Sequence, residues 1–133
     1  MRYILLAAFL TVVSPAMAQT GPRDIRVQSV AELKQTAVDL EAAVIQQPDN
    51  SELYIKLGFT YTRLEKADDA QKAFENAARL DPKRAITHYM LGLIYEKKGL
   101  KDKAIAAWKV CLDNAAEEHL RETARKHLHH LTR

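Results

Sequence analysis

The chain is predicted to be all-α, a solenoid of antiparallel helix pairs with about six helices. Three observations predict this. The sequence falls on itself when shifted by 34 residues. Gly and Pro are scarce, four of each in 133 residues, while Ala and Leu are plentiful, which favours helix over sheet. Capping or acidic residues stand where several of the helical apolar runs begin, as at Ser29, Asn50-Ser51, Asp68 and Asp102.

The self-similarity is dense. At the 34-residue offset Leu57-Gly58 lands on Leu91-Gly92, Tyr61 on Tyr95, Ala70 on Ala104, Phe74 on Trp108 and Ala77 on Cys111. Six coincidences in one size class mark a repeated unit of two helices. Glycine lets the partner helix approach closely at positions 58 and 92, and Ala70 and Ala104 serve that contact from the other side. Tyr61, Tyr95, Phe74 and Trp108 are expected to fill the space between successive hairpins.

The elements follow in order. Arg2, the apolar run 4–13, the Ser14-Pro15 break and Ala16-Met17-Ala18 have the layout of a secretory signal peptide over 1–18, with cleavage before Gln19. The run is too short to span a bilayer, so no stable membrane anchor is expected. Residues 19–28, with Gly21-Pro22, read as a flexible leader. Ser29-x-x-Glu32 is a capping box, and Leu33, Ala37, Leu40 and Val44 behind it give a helix over 29–48. Shifted once more by 34, Thr36, Leu40, Ala43 and Pro48 match Ala70, Phe74, Ala77 and Pro82, so this helix is the second half of a repeat. Full repeats follow at 51–84 and 85–116. Asn50-Ser51 is expected to cap the first, and Asp68 and Asp102 to favour the start of each second helix through its dipole. Gly99 supplies the turn inside the second repeat. Glu65 replaces it in the first, which predicts a looser turn there. The last element, 117–133, carries the stripe Leu120, Ala124, Leu128, Leu131 and reads as a terminal capping helix with a polar outer face.

The pattern Leu57-Gly58-x-x-Tyr61…Ala70-x-x-x-Phe74…Pro82, repeated as Leu91-Gly92-x-x-Tyr95…Ala104-x-x-x-Trp108, resembles the tetratricopeptide repeat. The second copy has Ala116 where the closing proline falls, and His88 replaces the aromatic residue that is Tyr54 in the first. The resemblance covers about residues 29–116 and implies a small exported member that binds protein. It implies that the first helices line a concave groove. Carried over by position, the groove residues are Glu52, Ile55, Phe59, Thr62 and Arg63, then Ile86, Tyr89, Leu93, Glu96 and Lys97. The Lys-Asn clamp that some members use on a peptide carboxylate is absent, since Ile55, Phe59 and Met90 hold those positions. An apolar floor with charged edges remains, suited to an amphipathic helix or apolar peptide segment.

Other chemistries find little support. The formal charge is +3, with acidic and basic residues alternating, so no nucleic-acid partner is predicted. Beyond residue 18 the serines are Ser29 and Ser51, both at helix starts where capping explains them. Gly58, Gly92 and Gly99 are used in packing or turning, which leaves no phosphate-cradling loop. Asp68-Asp69 and Glu117-Glu118 sit where helix dipoles favour them. No enzyme, cofactor or metal site is predicted. Cys111, the lone cysteine, replaces Ala77 and reads as a buried small residue.

The leading reading is a periplasmic or secreted interaction module, a scaffold or assembly factor. One alternative is a self-associating structural protein, a homo-oligomer whose groove is filled by its own kind. Another is a metal-responsive binder using His127 and His130, three apart in the His-rich last helix.

Overall fold

Ser29 caps the first described helix, as its spacing predicts. Its hydroxyl accepts from the Glu32 amide (3.2 Å), and the Glu32 carboxylate accepts from the Ser29 amide (2.7 Å), closing the capping box. In the computed structural model, which describes residues 28–133, six helices follow. They are α1 (Val30–Gln46), α2 (Ser51–Arg63), α3 (Ala67–Leu80), α4 (Ala85–Lys97), α5 (Lys101–Asn114) and α6 (Glu118–Leu131). No strand occurs among the described residues. The expected signal peptide, and all but the last residue of the expected leader, lie outside them.

Each helix packs mainly on its sequence neighbours, α2 on α3 and α4 on α5 as hairpins, with α3 on α4 between them. α1 packs on α2, and α6 on α5 and α4. This is an all-α solenoid of antiparallel helix pairs. The main core runs from Ile55 through Phe74, Leu91 and Trp108 to Ala124, and Ala37, Leu57 and Ala73 form a smaller cluster under α1.

The glycines act at short range. A Cβ on Gly58 would stand 2.7 Å from the Phe74 ring, and one on Gly92 would stand 2.6 Å from the Trp108 ring. Phe74 and Trp108 therefore lie across the glycine of their own hairpin, where the sequence had placed them between hairpins. The junctions between hairpins carry a different signature. The Tyr61 hydroxyl donates to Glu41, and the Tyr95 hydroxyl donates to Glu75 (2.8 Å). Both partners shift by 34, so α1 stands to α2 as α3 stands to α4. Burial, then the carboxylate, pushes both phenols well above their ordinary value.

Two further local expectations need correction. Asn50 occupies the N-cap of α2, but its side chain donates to Gln47 Oε1 (3.0 Å) and makes no cap hydrogen bond. Glu65 does not loosen its turn. It adopts φ 59°, close to Gly99 at 71°. Lys66 N–H donates to the Tyr61 carbonyl (2.9 Å) and Glu65 N–H to Thr62 (3.1 Å). In the second hairpin Leu100 donates to Tyr95 (2.8 Å) and Gly99 to Glu96 (2.9 Å). Both are Schellman closures. Helix pairing dictates the turn, and Glu65 accepts a left-handed backbone that costs about 1–2 kcal/mol.

Candidate functional site

The first helix of each hairpin forms one row, α2, α4 and then α6. The expected groove residues divide into three groups along it. Glu52, Thr62, Arg63 and Lys97 are exposed. Glu52 takes an ion pair from Arg84 at 3.2 Å, and Arg63 donates to Gln28 at 2.7 Å. The Thr62 hydroxyl donates back to the Gly58 carbonyl at 2.9 Å. Phe59, Ile86, Tyr89 and Leu93 offer partial apolar surface. Phe59 is 36% exposed, its ring meeting Phe74 edge-on at 5.3 Å, and Tyr89 meets Trp108 in the same way at 5.3 Å.

The third group departs from expectation. Ile55 is 4% exposed and belongs to the core, so it supports the floor without forming its surface. Its position points into the hairpin interface once Phe74 lies over Gly58. Glu96 is half-buried, because α6 brings the imidazole of His127 against it, Nδ1 to Oε2 at 2.6 Å. The same imidazole stacks on the Trp108 indole, with centroids 4.4 Å apart and planes 20° apart.

α6 is the part of the site that sequence reasoning missed. At the repeat offset, His127 corresponds to Phe59 and Leu93, His130 to Thr62 and Glu96, and Thr123 to Ile55 and Tyr89. The register alone could have found them. What hid them is that α6 lacks the Leu-Gly pair: Arg125-Lys126 stands there. His127 is thus an aromatic continuation of the floor and is already engaged by Trp108 and Glu96. Among the described residues, no group of three His, Cys, Asp or Glu side chains is placed to hold a metal ion. Arg121 anchors α6 from below, its Nε donating to Glu118 at 2.8 Å and Nη1 to the Ala115 carbonyl at 3.1 Å.

The loop end of the row opens as a cleft of about 480 Å3, bounded by Thr62, Glu65, Ala67, Ala70, Ile94 and Lys97. It joins one expected residue from each hairpin. The thiol of Cys111 is fully buried on the inner side of α5, and burial, with Glu117 nearby, raises its pKa, which disfavours the thiolate needed for nucleophilic chemistry. The arrangement is a ribbed surface with an apolar centre and charged margins.

Comparison with known proteins bears on the repeat. The tetratricopeptide repeat family profile matches residues 55–119. The chain is 33% identical over 70 residues to the BBSome complex member BBS4 of Bos taurus, covering 53% of this chain and 14% of that protein. It is 33% identical over 69 residues to the peroxisomal targeting signal receptor of Saccharomyces cerevisiae, covering 52% of this chain and 11% of the receptor. The corresponding receptor of Komagataella phaffii is 33% identical over 79 residues, 14% of its length. The chain thus spans a small fraction of the length of each of these relatives. The 34-residue register, the hairpin pairing and the profile match agree: this chain belongs to the tetratricopeptide repeat family.

Proposed function

We propose that this chain is an exported protein–protein interaction module that holds an amphipathic helix or an apolar peptide segment across the α2–α4–α6 row. The observation that carries the reading is the partial exposure of Phe59 on α2 and of Tyr89 and Leu93 on α4, with exposed Arg63, Lys97 and Glu52 on the same two helices. An apolar ridge of a ligand would cover Phe59, Tyr89 and Leu93, and its polar edges would meet the flanking charges. The relatives are named as a complex member and a targeting-signal receptor, and both names fit a repeat that holds polypeptide. So short a groove would give micromolar affinity, about −8 kcal/mol.

The layout of residues 1–18 supports export and hence a periplasmic or secreted scaffold or assembly role. Among the described residues no helix is long and apolar enough to cross a membrane. In this reading the module acts by holding.

The test is capture of partners from the native envelope by the purified chain. Phe59→Glu removes the exposed centre of the floor and is expected to abolish capture while helicity by circular dichroism is unchanged. Capture that survives this substitution would move the site off this face.

A further inference from the structure

α1 carries an apolar face that the repeat does not require. Its inner stripe, Leu33 and Ala37, is buried against α2. Its outer stripe is Val30, Lys34, Val38, Glu41 and Ile45, residues that return to one side of a helix every turn. Val30 is 62% exposed, Val38 55% and Ile45 75%. The 34-residue register shows how unusual this is: the positions of Val38 and Ile45 are held in α3 by Lys72 and Arg79, both exposed. In α5 they are Ala106 and Asp113. A charge holds three of these four equivalent positions and a small alanine the fourth, whereas α1 carries a branched apolar side chain at both.

The stripe complements itself. Lay a second copy of α1 antiparallel on the first, centred between Ala37 and Val38. Val30 then faces Ile45 of the second copy, Lys34 faces its Glu41, and Val38 sits beside its own mate. Apolar meets apolar and cation meets anion on both sides of the two-fold axis, the self-complementarity that an isologous dimer needs. Glu41 remains available, because Tyr61 uses only its Oε1. Lys34 makes no ion pair among the described residues.

We infer that a second copy of this chain docks on the outer face of α1, forming an antiparallel α1–α1 homodimer. The contact is one helix wide, below the roughly 800 Å2 per partner of a standard interface, so the dimer is weak and concentration-dependent. It leaves both α2–α4–α6 rows free and joins two holding surfaces in one particle, which raises avidity for a partner with two binding segments. The inference does not depend on what the row binds.

Sedimentation velocity across a wide concentration range tests it. The unaltered chain is expected to pass from monomer to dimer as concentration rises. Val38→Glu, which sets like charges on the axis, is expected to stay monomeric with unchanged helicity. Lys34→Glu and Glu41→Lys are each expected to be monomeric alone and to dimerise when mixed, since only the mixed pair restores both ion pairs. Under mild oxidation Val38→Cys should link to itself and Ile45→Cys should not, with buried Cys111 silent in both. A chain that stays monomeric throughout, or a dimer that survives Val38→Glu, overturns the proposal. Self-linking at position 45, which signals parallel helices, overturns it as well. A monomer in which Ile45→Cys resists a thiol reagent would assign the face to residues 1–27 instead.

Discussion

In the first hairpin the Phe74 ring lies over Gly58, with Phe59 edge-on beside it. In the second the larger Trp108 ring lies over Gly92, with Tyr89 edge-on and His127 stacked on its far face. The backbone register is the same and the filling differs. The outer cleft changes in step. Beside Tyr54, Leu57 and Tyr61 of α2 it is about 170 Å3 and includes Asp69, Lys72 and Asn76 of α3 in its lining. Between α3 and α5 it is about 350 Å3, and Lys103, Ala106 and Val110 hold the same repeat positions. A repeat fixes where helices lie through glycine, alanine and one large ring. It leaves each hairpin free to decide what its surfaces offer. Here the first hairpin keeps an exposed aromatic residue in the row, and the second gives its ring to α6.

The largest expected effect breaks the second hairpin at its ring. Trp108→Ala should cost about 3–5 kcal/mol in denaturant unfolding, because it empties a fully buried site and takes the stacking surface from His127. Trp108→Phe recreates the first hairpin's solution and should cost clearly less. It also removes an indole N–H that has no hydrogen-bond partner among the described residues. Equal losses would mean that the ring's shape, not its volume, holds α6.

Next come the glycines beneath the rings. Gly58→Ala and Gly92→Ala should each cost about 1–3 kcal/mol, since the new methyl meets the face of a buried ring that has little room to retreat. A neutral result at Gly58 alone would show that the Phe74 side of the comparison is the looser one.

The two turns give a smaller and opposite pair. Glu65→Gly should stabilise the first hairpin by about 1 kcal/mol, and Gly99→Ala should destabilise the second by a similar amount. Both are read from chemical denaturation midpoints.

The smallest effect is electrostatic. Lys98 hydrogen-bonds Asp68 across the hairpins at 2.6 Å, and Arg121 and Arg125 hold Glu118 at the start of α6. Hydrogen bonding to these cations, led by Lys98 for Asp68 and by Arg121 for Glu118, sets both carboxylates below their ordinary values of 3.8 and 4.5. Depressed carboxylates stabilise above their unfolded values and lose that contribution as pH falls through the folded ones. The groups are exposed, so the effect is small. Asp68→Asn should flatten the acid limb of the stability profile slightly, and an unchanged limb would show that the pair contributes nothing.

The hairpins were legible because their rules are local in register: Leu57-Gly58 and Leu91-Gly92, Ala70 and Ala104, Phe74 and Trp108 announce themselves by spacing. The Tyr61–Glu41 and Tyr95–Glu75 bonds were equally regular, yet a search for apolar repeats passes over their carboxylates. The turn at Glu65 was misread because residue identity argued against a backbone that helix pairing imposes. Ile55 was placed by position on the groove, and its burial depends on how Phe74 lies. The role of His127 was hidden because α6 lacks the sequence signature of the helices it extends, and its contacts reach 19 and 31 residues back along the chain.

The central claim is that the first-helix row, and not the outer face, holds the partner. Site-directed photocrosslinking tests it most directly, with a photoreactive residue placed either at Thr62 on the row or at Lys109 on the outer side of α5, both exposed. The account predicts a covalent partner adduct from position 62, lost when Phe59→Glu is added, and none from position 109. Adducts from position 109 alone would contradict it.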